Sequence, residues 1–149
     1  MGERLEGGCH CGAIRYEIDA VFDVVYCHCT QCRKRTGAPV NCALQVPGDA
    51  FRFTKGAPSS YVRSIRCLWR FCSVCGSTIC SENLEPDHLL AREGRYYSVN
   101  VGSLDDPERV RPQIHQFVEN RLFWFEIADY LPRVEGNILP HPDERMNRP

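Results

Sequence analysis

Seven of the ten cysteines in this 149-residue chain fall in three tight groups, Cys9/Cys11, Cys27/Cys29/Cys32 and Cys72/Cys75. Thiols one or two residues apart make poor disulfide staples, yet the same spacing brings two thiolates within reach of one tetrahedral ion. A metal framework is therefore expected in place of a disulfide framework. The length suits one domain, and 43% hydrophobic with 25% charged residues is the composition of a soluble globule.

Eighteen basic and nineteen acidic residues leave a formal charge of −1, which provides no field for a nucleic acid or an anionic membrane. The first residues, Met1 to Glu6, contain no apolar leader, and Glu6 stands where a myristoylation signal needs Ser or Thr. No stretch approaches the ~20 apolar residues of a membrane span. The expectation is a cytoplasmic chain with neither nucleic-acid nor membrane partners.

Alternation of apolar and polar residues predicts strands at 13–19, with Ile14, Tyr16 and Ile18 on the buried face, and at 40–46, with Val40, Cys42, Leu44 and Val46 on one face. Phe51 and Phe53 follow the Pro47-Gly48 turn, and further candidates lie at 60–65, 68–71, 96–101, 113–118 and 122–127. The pattern is a mainly β, antiparallel fold. A short helix is expected from Gln31 to Arg35, with Thr30 as N-cap and Gly37 as terminator, and another helical turn at Asp105-Asp106-Pro107-Glu108. After Pro132 the periodicity fades, so the domain is drawn over residues 1–132 and residues 133–149 are read as a proline-containing tail.

Structural zinc sites close with four protein ligands, whereas catalytic sites keep three and an open position. Phe71-Cys72-Ser73-Val74-Cys75-Gly76 has the form of a zinc knuckle and supplies two ligands. Cys9/Cys11 is the other isolated pair, giving a structural group of Cys9, Cys11, Cys72 and Cys75. The remaining trio, Cys27, Cys29 and Cys32, is the candidate catalytic site, where a bound thiol would lose its proton and become a nucleophile. Arg33-Lys34-Arg35 follows directly and either offsets the thiolate charge or forms a solvated helical face. Cys42, Cys67 and Cys80 read as small buried hydrophobes, although Cys80 lies close enough to Cys75 to join its group under a different partition. His10 and His28 are expected to face away from the ions, His115 is the better polar candidate though an ordinary strand histidine is the simpler reading, and His88 and His141 carry no signal.

With these residues placed, the chain resembles the family of glutathione-dependent formaldehyde-activating enzymes, which also includes centromere protein V. The resemblance runs through Gly7-Gly8-Cys9-His10-Cys11-Gly12, Cys27-His28-Cys29-Thr30-Gln31-Cys32-Arg33 and Phe71-Cys72-Ser73-Val74-Cys75-Gly76. It continues at Gly102-Ser103-Leu104-Asp105-Asp106-Pro107 and at Pro112, His115 and Trp124. It implies a β-rich, tent-like fold with two zinc ions, one structural and one catalytic, and a carbon–sulfur lyase reaction that adds glutathione to formaldehyde. One position departs from the pattern: many members carry an Arg two residues before the knuckle Phe, where this chain has Trp69, with Arg70 after it. No motif marks a carboxylate clamp for glutathione. Two other readings stand beside the enzyme, a zinc-stabilised protein-binding module and a redox-sensing thiol cluster.

Overall fold

The computed structural model describes residues 3–84 and 95–136. The fold is mainly β, built from strands β1 (Leu5–Gly8), β2 (Arg15–Ile18), β3 (Asp23–Cys27), β4 (Asn41–Pro47), β5 (Phe51–Lys55), β6 (Ser59–Ser64), β7 (Cys67–Phe71), β8 (Thr78–Asn83), β9 (Tyr96–Asn100), β10 (Ile114–Gln116) and β11 (Arg133–Val134). A single α-helix among the described residues, α1 (Thr30–Thr36), joins β3 to β4. The strands form a three-stranded sheet, β1-β2-β5, and an eight-stranded sheet, β11-β10-β3-β4-β9-β8-β7-β6.

The core lies between the sheets, because the alternation in β2 and β4 sends apolar side chains toward each other. Tyr16, Ile18 and Phe51 from the small sheet share one cluster with Leu44, Val46, Cys80 and Val99 from the large one. Phe51 stacks on Tyr97 at 4.3 Å between ring centroids, which joins the two layers directly. Gly7 leaves room beside β1 for the Tyr16 ring and the Val101–Ser103 turn: a Cβ there would sit 2.4 Å from the Ser103 carbonyl oxygen and 2.3 Å from the Tyr16 hydroxyl.

Strand β4 runs through the middle of the large sheet and is buried on both faces. Leu44 and Val46 enter the main core, as the alternation predicts, but Ala43 packs on Val25, Ile114 and Val134 on the other side. Three strands lie outside what alternation predicts, each for a different reason. The Val24-Val25 pair in β3 is a short apolar run without period 2, which is the pattern of a strand covered on both sides. Strand β8 carries Glu82 into the interior, where Arg70 and Arg95 neutralise it, so its sequence does not read as a core strand. Leu5–Gly8 is too rich in glycine to score as a strand.

Two expectations are corrected. Residues 122–127 form no strand: the Phe125 amide turns back to the Leu122 carbonyl, and Arg133 donates to the Ile127 carbonyl at 2.8 Å. Those bonds use the segment's polar groups, and Phe123 is left 90% exposed. The pairing is also not wholly antiparallel, because β10 runs parallel to both β3 and β11. The tail expected from residue 133 begins with β11, whose Arg133 and Val134 pair with His115 and Gln116; residues 137–149 lie outside the described part. No helix among the described residues is long and apolar enough to cross a membrane.

Candidate metal centres

The turn from β1 to β2 carries Cys9 and Cys11, and the turn from β7 to β8 carries Cys72 and Cys75. These turns meet, and the four sulfurs lie within 4.8 Å of one another. The Cys9–Cys11 and Cys11–Cys72 sulfur separations are 3.5 and 3.8 Å. A disulfide is about 2.05 Å long, whereas the edge of a tetrahedron with metal–sulfur bonds of about 2.3 Å is about 3.8 Å. The donor set therefore fits one tetrahedral ion. Backbone and hydroxyl groups already favour thiolates there: the Ile14 amide donates to Cys9 at 3.2 Å, and the Ser77 hydroxyl and amide push the Cys75 thiol down to about 5. Gly76 takes φ +77°, and its amide donates to the Cys72 carbonyl, closing the knuckle.

Cys27 ends β3, while Cys29 and Cys32 lie at the start of α1, and their three sulfurs are again within 4.8 Å. The helix cap differs from the sequence expectation. Cys29, not Thr30, is the N-cap, and its sulfur accepts the Cys32 amide at 3.3 Å. The reason is geometric: an extended residue must precede the helix, and the soft thiolate acceptor does the work of an Asx or Ser oxygen. Gly37 terminates the helix at φ +72°, as expected. Thiol donation from Cys27 and Cys32, followed by the Cys32 and Gln31 amides, holds the Cys29 thiol far below its ordinary range. Cys27 moves the opposite way, because it donates to Cys29 and is buried.

His28 points away from the sulfur groups into a buried chain that the sequence does not reveal. Its Nε2 lies 2.9 Å from His115 Nδ1, the two rings stack at 5.2 Å, and His115 Nε2 lies 2.9 Å from Asp129. The carboxylate accepts, so His115 carries a proton on Nε2. Burial lowers the His28 pKa, which favours its neutral form. The His28 amide donates to the Gln116 carbonyl at 3.0 Å, tying the Cys27–Cys29 segment to β10. His115 is thus a strand histidine with a supporting task behind the trio. Asp129 was missed because it lies in an irregular segment and meets His115 only through the fold.

The other candidates separate cleanly. Cys80 is fully buried in the main core and belongs to neither sulfur group, and burial pushes its thiol up. Cys42 is half-buried, with its thiol raised to about 11 by desolvation, and Cys67 is buried. The His10 amide donates to Ser77 Oγ, but its ring is not among the metal-capable groups. His88 and His141 fall outside the described residues. Lys34 is exposed, whereas Arg33 and Arg35 are partly buried.

A family model described as "Glutathione-dependent formaldehyde-activating enzyme" matches residues 4–120. The chain belongs to the glutathione-dependent formaldehyde-activating enzyme family. A member from Halomonas elongata, carrying the name "Putative glutathione-dependent formaldehyde-activating enzyme", is 30% identical over 135 residues, covering 83% of this chain and 80% of that one. A crystal structure of a Rhodobacter sphaeroides protein is similar with a TM-score of 0.53 and 27% identity, over 72% of this chain and 91% of that one. Both sulfur groups of this formaldehyde-activating family member fall within the matched residues. The family is an enzyme family of the carbon–sulfur lyase type.

Proposed function

We propose that this chain is a zinc-dependent carbon–sulfur lyase that joins glutathione, or a closely similar thiol, to formaldehyde or a related small carbonyl. In this reading Cys9, Cys11, Cys72 and Cys75 hold a structural zinc, and Cys27, Cys29 and Cys32 hold a catalytic one. The carrying observation is the unequal donor count: the second group offers three sulfurs where a tetrahedral ion takes four ligands. Zinc bound there supplies thiol deprotonation and orientation of the resulting thiolate.

The overall reaction forms one carbon–sulfur bond, and the thiol proton ends on the former carbonyl oxygen, giving an S-hydroxymethyl thiol. The protein's own groups prepare it. Donation from the Cys27 and Cys32 thiols, with the Cys32 and Gln31 amides adding to it, lowers the Cys29 thiol pKa and favours the charged form that a metal ion takes. His115 and Asp129 fix the His28 ring and, through it, the backbone between Cys27 and Cys29. A cleft of about 660 Å³ runs along Cys9, Ser77, Thr36, Asn41, Asn100 and Ser103, beside the four-cysteine group and with no trio cysteine in its lining; its link to the trio is Asn41, the register partner of Cys27.

The test is to follow ¹³C-formaldehyde with glutathione and a panel of other thiols by exchange NMR, with and without the zinc-loaded protein. Faster exchange with glutathione, abolished by Cys32→Ser, supports the lyase. No acceleration with any thiol rejects it in favour of the zinc-stabilised binding module.

A further inference from the structure

Resting on the thiol-lyase reading, we propose that Arg35 is the residue that binds a carboxylate of the thiol substrate, making the trio site specific for thiols that carry one. The sequence offered Arg33, Lys34 and Arg35 as equivalent cations, and the fold separates them. Lys34 is exposed. Arg33 follows Cys32 directly, about 100° around the helix, and donates to Thr30 Oγ1 on its own turn. Arg35 is three residues beyond Cys32 and so shares its helical face.

The guanidinium is fixed in place from two sides. Its centre lies 5.9 Å from the centroid of the Trp69 ring, behind which Tyr61 packs at 5.3 Å. Its Nη2 donates to Asn100 Oδ1 at 3.1 Å. That oxygen also accepts from Asn41 Nδ2 at 3.2 Å, and Asn100 Nδ2 donates to the Thr78 carbonyl at 3.0 Å, so the amide orientation is determined. Asn41 pairs with Cys27 across β3 and β4. The cation is therefore tied to the trio through the helix by Cys32 and through the sheet by Cys27. Asn41 and Asn100, which hold this network, line the cleft, whereas Arg35 and the trio cysteines are not in its lining.

What remains is an unused donor. Arg35 Nη1 is buried with no hydrogen-bond partner among the described residues; Arg33 Nε is too, but Arg33 lies off the Cys32 face of the helix. Three other cations are already paired: Arg15 forks onto Asp105, and Arg70 and Arg95 both reach Glu82. A guanidinium stacked on an aromatic face keeps its edge for planar acceptors, and a carboxylate is the matching one. Trp69, the position that departs from the family pattern, supplies that stacking surface.

The experiment uses the full zinc-loaded chain and two probes, glutathione and its dimethyl ester, with dissociation constants read by NMR titration. Wild-type protein is expected to bind glutathione about 10- to 100-fold more tightly than the ester. Arg35→Gln should erase that difference by weakening glutathione alone, and Arg35→Lys should recover only part of it, with zinc content equal in all three proteins. Equal weakening of both probes means a structural role for Arg35 and overturns the proposal, as does an unchanged preference in Arg35→Gln. Binding of neither probe by wild type overturns it too. Failure of the lyase reading has a separate signature, no acceleration of formaldehyde exchange with any thiol, and the binding comparison still decides the role of Arg35.

Discussion

The two sulfur groups have similar internal spacing but opposite relations to the chain. The four-cysteine group joins the turn leaving β1 to the turn leaving β7, and so fastens the small sheet to the large one. The three-cysteine group comes from one continuous segment, the end of β3 and the first turn of α1, and fastens nothing remote. A crosslink between distant parts of the chain removes far more freedom from the unfolded state than a local one does. On the proposed reading, zinc at the two sites is thus expected to serve stability at one and chemistry at the other.

The largest predicted effect breaks the first half of that contrast. Cys72→Ser removes a ligand from the inter-sheet crosslink. Because structural zinc contributes on the order of 10 kcal/mol while a domain's net stability is about 5–15 kcal/mol, the variant should lose its cooperative thermal transition, read by circular dichroism. Cys32→Ser, the counterpart at the trio, should keep that transition within a few degrees of wild type while formaldehyde–thiol exchange falls about 100-fold or more. An intact fold in Cys72→Ser, or an unfolded Cys32→Ser, would break the comparison.

His115→Ala sharpens it. The change leaves the buried His28 ring and the Asp129 carboxylate without their shared partner, at a cost of about 2–3 kcal/mol in urea unfolding. Loss of outer support should also weaken zinc at the trio about tenfold, with affinity at the four-cysteine group unchanged, measured by competition with a chromophoric chelator. The smallest effect concerns neither group. Arg15 holds the Asp105 carboxyl below its ordinary range, so this pair contributes stability above the unfolded value of about 3.9 and loses it as pH falls through the lower folded value. Asp105→Asn should be less stable than wild type at pH 6 by under about 1 kcal/mol. The difference should vanish at low pH, where proton-driven zinc loss acts on both proteins alike.

The sequence made the sulfur partition legible because ligand spacing and ligand number are local properties: Cys72-Ser73-Val74-Cys75 announces a turn around an ion, and counting finds its partner pair. Ile14, Tyr16 and Ile18 were equally readable from their alternation. What escaped depends on contacts between segments. Strand β8 is hidden by Glu82, whose charge makes sense only once Arg70 and Arg95 are seen against it. Residues 122–127 carry strand-forming aromatics but find no partner strand among the described residues. The Asp129–His115–His28 chain joins three segments with no shared motif, and the setting of Arg35 needs Trp69 and Asn100 from two other strands.

The division of labour is tested most directly by stepwise zinc removal, with metal release and secondary structure followed in the same sample. The account predicts two zinc ions per chain: the first leaves under mild chelation with exchange activity lost and circular dichroism unchanged, and the second leaves only as the fold is lost. A single ion per chain, or unfolding that accompanies release of the first, would contradict it.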